Sequence, residues 1–402
     1  LKFSNMNIRT VGFKNEVDKM MRLTLVIQRI FGQHILDPEW TWKRFFFHQL
    51  ATTILVIYVI FGTIEILKNT NDVKIVAEAC YTFIITSIFP CKYLLLINNR
   101  YVFRELYVEV KTTLYNIIRN DSEEKFNNVL NKGVKVVYGL FYMIMLPIMT
   151  YIARGIWCYA NGERVTISRT TSILMPMKTP YHEIGLILHS IYMFEASYTL
   201  IMVDMWFVFL MFFFCVASDC TVKMLTVEKM ANESKKEYSK RLNDRLMLFY
   251  KFHVKQVDYL KKLNVMFKWL ALLPLFNVTM SGCIIFLLMS KGIPWSFAPN
   301  MIPCFGELFA YNWFGEQLKM KANNLNKALL NFDWINLELK DKKSYHIIVS
   351  YMQRDVGLKT AIGNDLSLIT MSTVSILLFK QTSFDPRVRP RRIVTLRLCD
   401  GM

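Results

Sequence analysis

The stretch YNWFGEQLKMKANNLNKALLNFDW, residues 311–334, continues an apolar run without a break. Residues 293–314 read as a membrane span, and no loop residues separate that span from the helix beyond it. After Gly315 the apolar positions are Leu318, Ala322, Leu325, Ala328, Leu329 and Phe332. Steps of three and four place them on one face of a helix, while the heads of Lys319 and Lys321 stay in water. A span that runs straight into an amphipathic helix needs a cover for the apolar face. Other protein helices or the membrane surface could supply it.

The rest of the chain also reads as membrane protein. Of 402 residues 53% are hydrophobic and 14% aromatic. The apolar residues are gathered in runs of about 20, the length a helix needs to cross a hydrocarbon core roughly 30 Å thick. The net charge of +18 lies in segments between those runs, interleaved with acids. Such an excess reports topology and anionic lipid contact, and it excludes nucleic acid as a partner. Eight cysteines form no CxxC pair, so neither a zinc site nor a disulfide framework is indicated. No HExxH, GxSxG, Walker A or GxGxxG pattern occurs, and the six histidines lack metal-ligand spacing. Neither an enzyme, a cofactor nor a metal is expected.

Seven spans are expected near 45–67, 73–97, 133–157, 185–217, 265–290, 293–314 and 366–384. The fourth is longer than a bilayer requires and should tilt or project. In the seventh only Leu366 to Phe379 is free of charge, about 21 Å of helix, so it should be shielded by other helices or line water. Lys and Arg number 32 in the segments on one side and 12 on the other. The richer side should be cytosolic, which puts the N-terminus inside and the C-terminus outside. The sequons at Asn120, Asn232 and Asn277 should then carry no glycan. A G-protein-coupled receptor has the reverse orientation, and neither DRY nor NPxxY is present.

With this topology the chain resembles the insect odorant receptors. Tyr311, Gly315, Leu318, Leu325, Ala328 and Trp334 look like that family's Tyr-x-x-x-Gly-x-x-Leu pattern and the helix ending near Asp-Trp. MQRDVGLKTAIGNDLSL, 352–368, looks like the segment that leads into the family's last span. The resemblance implies an all-α membrane protein of seven transmembrane helices, with cytosolic helical extensions that form an anchor domain. It divides the chain into a cytosolic segment 1–44, spans one to six with the ligand pocket over 45–314, an anchor region 315–365, a pore-lining seventh span 366–384, and an atypical basic tail 385–402. It implies a ligand-tuned subunit of an odorant-gated, non-selective cation channel. The partners would be a shared coreceptor in a heterotetramer, a small volatile and membrane lipid, in the plasma membrane of olfactory sensory neurons. A gustatory receptor of the same superfamily is the nearest alternative, but TVSILLFKQTSF does not match that group's closing motif.

Candidate sites come from residue type, spacing and this resemblance. In the fourth span His189, Tyr192, Glu195, Tyr198, Thr199 and Met202 step along one face as a polar and aromatic stripe, suited to a cavity wall or to helix packing. The resemblance places a pocket in the outer halves of spans two, three, four and six. Tyr81, Ile85, Met145, Met149, Tyr192, Glu195, Phe297 and Met301 are the candidates there. Thr370, Thr373, Leu377 and Lys380 form the most polar face of the seventh span, expected at the pore. Glu78 and Lys92 are about 21 Å apart along one helix and cannot pair, so Lys92 is expected to snorkel. Asp204 lies half a turn round from Glu195 and is expected to support structure.

Overall fold

Apolar runs in hydrocarbon must satisfy their own backbone polar groups, which helices do within one segment. The computed structural model describes residues 16–37, 39–48, 50–121, 123–164, 176–290, 301–352, 357–369 and 371–373. Among them no strand occurs, and one isolated antiparallel bridge joins Lys359 and Asp365. In chain order the α-helices are α1 Glu16–Met20, α2 Arg22–Ile30, α3 Trp42–His48, α4 Leu50–Asn69, α5 Val73–Asn98 and α6 Arg100–Glu109. A π-helical turn, Val110–Leu114, leads to α7 Tyr115–Asp121 and α8 Glu123–Ala160. Then come α9 Tyr181–Met224, α10 Lys235–Phe267, α11 Leu272–Ser290, α12 Met301–Leu330 and α13 Leu339–Met352.

Helix α9 is the central post. Its 44 residues extend about 66 Å, twice a hydrocarbon core. It packs against α4, α5, α7, α8, α10 and α12, and from Ile201 to Leu210 every residue is buried. A helix apolar on all sides belongs inside protein or lipid, and here neighbouring helices cover its middle. Gly133 of α8 lets that helix approach it, because a Cβ there would meet the Phe212 ring at 2.7 Å. Four helical stretches, Ile75–Asn98, Asn131–Ala160, Tyr181–Met224 and Lys235–Ile284, are long and apolar enough to cross a membrane. The other three expected spans fall on α4, on α12 and on 366–384, where 368–369 and 371–373 are helical.

Two differences from the sequence reading stand out. The expected span 265–290 is not one helix: α10 ends at Phe267, the chain turns through 268–271, and α11 begins at Leu272. Pro274 sits in the first turn of α11, where a missing N–H costs nothing. Within the expected segment 1–44, for which the sequence reading named no packing partner, 16–37 and Trp40 are built into the main core. Val17, Met20, Met21, Leu25, Ile35 and Trp40 are buried there. Tyr198 donates to the Thr24 carbonyl at 2.6 Å, and Gln33 donates to Thr199 Oγ1 at 2.9 Å.

A second core is built from the polar ends of the long helices. Leu242, Leu246 and Phe249 of α10 meet Leu325, Leu329 and Phe332 of the α12 end, with Tyr345 and Ile348 of α13. Ser234 and Glu237 close a reciprocal cap that starts α10. Tyr238 donates to Asp333 at 3.0 Å, and the Trp334 and Tyr345 rings stack 5.8 Å apart. The apolar face read from 318–332 therefore has a protein cover.

Candidate functional site

Tyr81, Ile85, Ile88 and Lys92 recur at steps of three and four, so they share one face of α5. That face looks toward α9 and α12. Lys92 has 0% exposure, and its Nζ donates to both carboxylate oxygens of Asp204 at 2.9 Å and to Glu307 Oε1 at 2.5 Å. The Leu200 carbonyl accepts from it at 3.4 Å. Tyr311 donates to Asp204 Oδ1 at 3.0 Å, with its ring stacked 4.2 Å from Phe207. Asp204 and Glu307 are 2% and 7% exposed. An ammonium stripped of water costs several kcal/mol, and only well-placed acceptors offset this. Lys92 does not snorkel: it is the hub of a buried ionic centre joining α5, α9 and α12. Glu307 is absent from the sequence reading, although an acid inside the run 293–314 is the available signal.

Immediately along α12 lies a junction with the start of the expected seventh span. A Cβ on Gly315 would run into the Leu366 carbonyl oxygen, so only glycine permits this approach. Asn312 Oδ1 accepts from the Ser367 amide at 3.1 Å, and Lys319 pairs with Asp365 at 2.9 Å. The segment 357–369 turns at Gly363, whose φ is +86°. It also caps the break after α10: the Ala361 amide donates to the Lys268 carbonyl at 2.9 Å, and the Lys359 amide to Asn264 at 3.0 Å. Of the expected pore face only Thr373 is described, and it is exposed. Thr370, Leu377 and Lys380 lie outside the described residues.

The expected ligand residues fall into different surroundings. Tyr192 is buried against Phe89 and Ala196 and hydrogen-bonds with Thr86, on a side of α5 away from Tyr81. Glu195 is buried nearby, within electrostatic reach of Tyr93 and Tyr192, and His189 lies ring to ring with Tyr192 at 6.2 Å. Tyr81 is buried within reach of Tyr151 and Cys304, and Ile85 is half-buried. Met145 belongs to the main core. Met149 is 47% exposed, so it lies on the outside of α8 and not among these groups. Phe297 lies outside the described residues, as does the side chain of Met301.

Of the anchor residues, Tyr311, Leu318 and Leu325 are buried, Ala328 and Trp334 are half-buried, and Gly315 holds the junction. A groove of about 410 Å³ opens beside them, lined among others by Phe214, His253, Gln256, Leu318, Lys319 and Asp365. His253 is stacked on Phe249 at 6.0 Å, and burial pushes its imidazole down to about 4. Among the described residues no cluster of side chains could hold a metal ion.

Comparison with known proteins bears on this arrangement. The olfactory receptor OR5 from Machilis hrabei has a similar fold, with a TM-score of 0.71 at 12% identity, covering 91% of this chain and 98% of that one. A structure of the same receptor in complex with eugenol gives 0.67 at 14% identity, with the same coverage. No curated protein matches. The model of the family described as 7tm odorant receptor matches residues 72–377, which include the ionic centre and the junction at Gly315. The chain belongs to the insect odorant receptor family and is a helical, multi-pass membrane protein.

Proposed function

We propose that this chain is the ligand-tuned subunit of an odorant-gated, non-selective cation channel, assembled with a shared coreceptor. The observation that carries the reading is the family match across 72–377. The odorant receptor family is one of receptors and channels rather than enzymes, which supports this reading. In this reading the N-terminus and the second core are cytosolic, the C-terminus is outside, and the protein works in the plasma membrane of olfactory sensory neurons. The excess of basic residues in the segments that build the second core supports that orientation.

The ligand is a small volatile held in the half of the bundle that contains Tyr81, Ile85, Tyr192 and Glu195. Aromatic and aliphatic walls with few polar groups suit such a molecule. It shifts the resting equilibrium by binding the open state more tightly. The 318–332 face and α13 form the anchor through which subunits join, and the last span lines the pore. Whole-cell recording with a panel of volatiles, eugenol first because OR5 is known in complex with it, tests the reading. Cation current evoked only when the coreceptor is co-expressed is the expected result. Current that requires intracellular GTP would overturn it, as would an extracellular N-terminal tag.

A further inference from the structure

We propose that the Lys92–Asp204–Glu307–Tyr311 centre positions the head of the last span, so that Glu307 and Tyr311 set the threshold for opening. The proposal rests on the channel reading for its functional part and on geometry for its structural part.

Three observations converge. First, the centre ties three helices at one depth, and one of its helices, α9, also carries Tyr192 and Glu195. Asp204 is nine residues from Glu195, about 13 Å along a continuous helix. Second, α12 passes from the centre to the junction without a break: Glu307 and Tyr311 are succeeded by Asn312 and Gly315, which hold Ser367 and Leu366. Tyr311 and Asn312 are adjacent, so no compliant residue separates ionic grip from backbone grip. Third, Gly315 leaves no free space. Its contact is with a backbone oxygen, so rotation of α12 about its axis moves Leu366 directly.

A buried ion cluster has few arrangements, because each partner it loses leaves a charge in low dielectric. It therefore favours discrete positions of α12 over a continuum. Tyr311 is the adjustable member. Its hydroxyl is one of the donors to Asp204, while the ring is held against Phe207 regardless. Removing the hydroxyl weakens the grip on α12 and leaves the packing in place.

The test uses Tyr311→Phe and Glu307→Gln in the full chain, with Tyr345→Phe as control. Tyr345 donates to the Leu329 carbonyl in the second core, so its loss removes a hydrogen bond to the same helix away from the junction. Hydrogen exchange on purified protein reads the amides of Leu366 and Ser367, which are bonded to the Leu358 carbonyl and to Asn312. The first two variants should exchange there roughly tenfold faster, about what one charge-assisted hydrogen bond is worth, and the control should not. In co-expressing cells they should also shift the half-maximal concentration of the most active volatile about fivefold and raise the odorant-independent current. Exchange at Leu366 and Ser367 unchanged in both variants, or raised equally by Tyr345→Phe, overturns the proposal. So does a concentration–response identical to wild type. Silence of the wild type in every volatile would fall on the channel reading instead, and the exchange measurement would still decide the positioning role.

Discussion

Two regions of this receptor use the same chemistry and depend on it differently. In the main core Lys92 meets Asp204 and Glu307, and all three side chains are buried. Farther along the helices, at the rim of the bundle, Lys321 meets Asp219 at 2.7 Å and Lys319 meets Asp365 at 2.9 Å, all partly exposed. The distances are alike and the surroundings are not. When a partner is removed, the outer pairs return to solvent, whereas the inner acids have nowhere to go. Burial, not contact length, decides which of these pairs the fold depends on.

The largest expected effect comes from the inner pair. Lys92→Met leaves two carboxylates facing each other in a dry site and should cost about 3–5 kcal/mol. Surface labelling should show little mature receptor. Near-normal surface levels would mean that water reaches the centre and would erase the contrast. Gly315→Ala should cost roughly 3 kcal/mol, since a backbone oxygen cannot move aside as a side-chain tip can. Thermal unfolding in detergent, monitored by size-exclusion fluorescence, would register the loss.

A pH effect belongs to the second core. His253 is neutral there with its pKa pushed down to about 4, against 6.5 when unfolded. Above pH 6.5 both states are neutral and the stability is fully present. As the pH falls from 6.5 toward 4 the unfolded state alone takes up the proton, so stability is lost, about 2 kcal/mol by pH 5. Asp365 and Lys319 line the same groove. His253→Gln should flatten the drop in unfolding temperature between pH 7 and 5, and an equally steep drop would show that other groups titrate. At the small end, Lys321→Met should change stability by about 0.5 kcal/mol or less. A larger loss would mean the outer pairs are as indispensable as the inner one.

The same contrast explains what the sequence makes legible. The α12 face is readable because its signal is local: Leu318, Leu325, Leu329 and Phe332 recur at helical steps, and all four are buried. The projection of the fourth span is likewise readable from length alone. Lys92 is misread because its partners lie 112 and 215 residues away, and a lone lysine in an apolar run gives no sign of them. The packing of 16–37 is not legible for a related reason. The mixed composition of that stretch resembles a tail, yet its short apolar face docks on Tyr198 and neighbours far along the chain. The break at 268–271 has no glycine, and the segment that caps it comes about 90 residues later. For the ligand region, the spacing shows which residues share a helix face, but not which side of α5 each one meets.

The burial of α9 also sets where this receptor can vary. From Ile201 to Leu210 it touches protein on every side, so a new side chain there disturbs several helices at once. Nearer its start Tyr181, Ile184, Ile187, Leu188 and Ile191 are exposed and should tolerate replacement by other apolar residues. Substitution should therefore be freer in the first three turns of this helix than in its middle. Diversity among close homologues should rise and fall along α9 in that pattern.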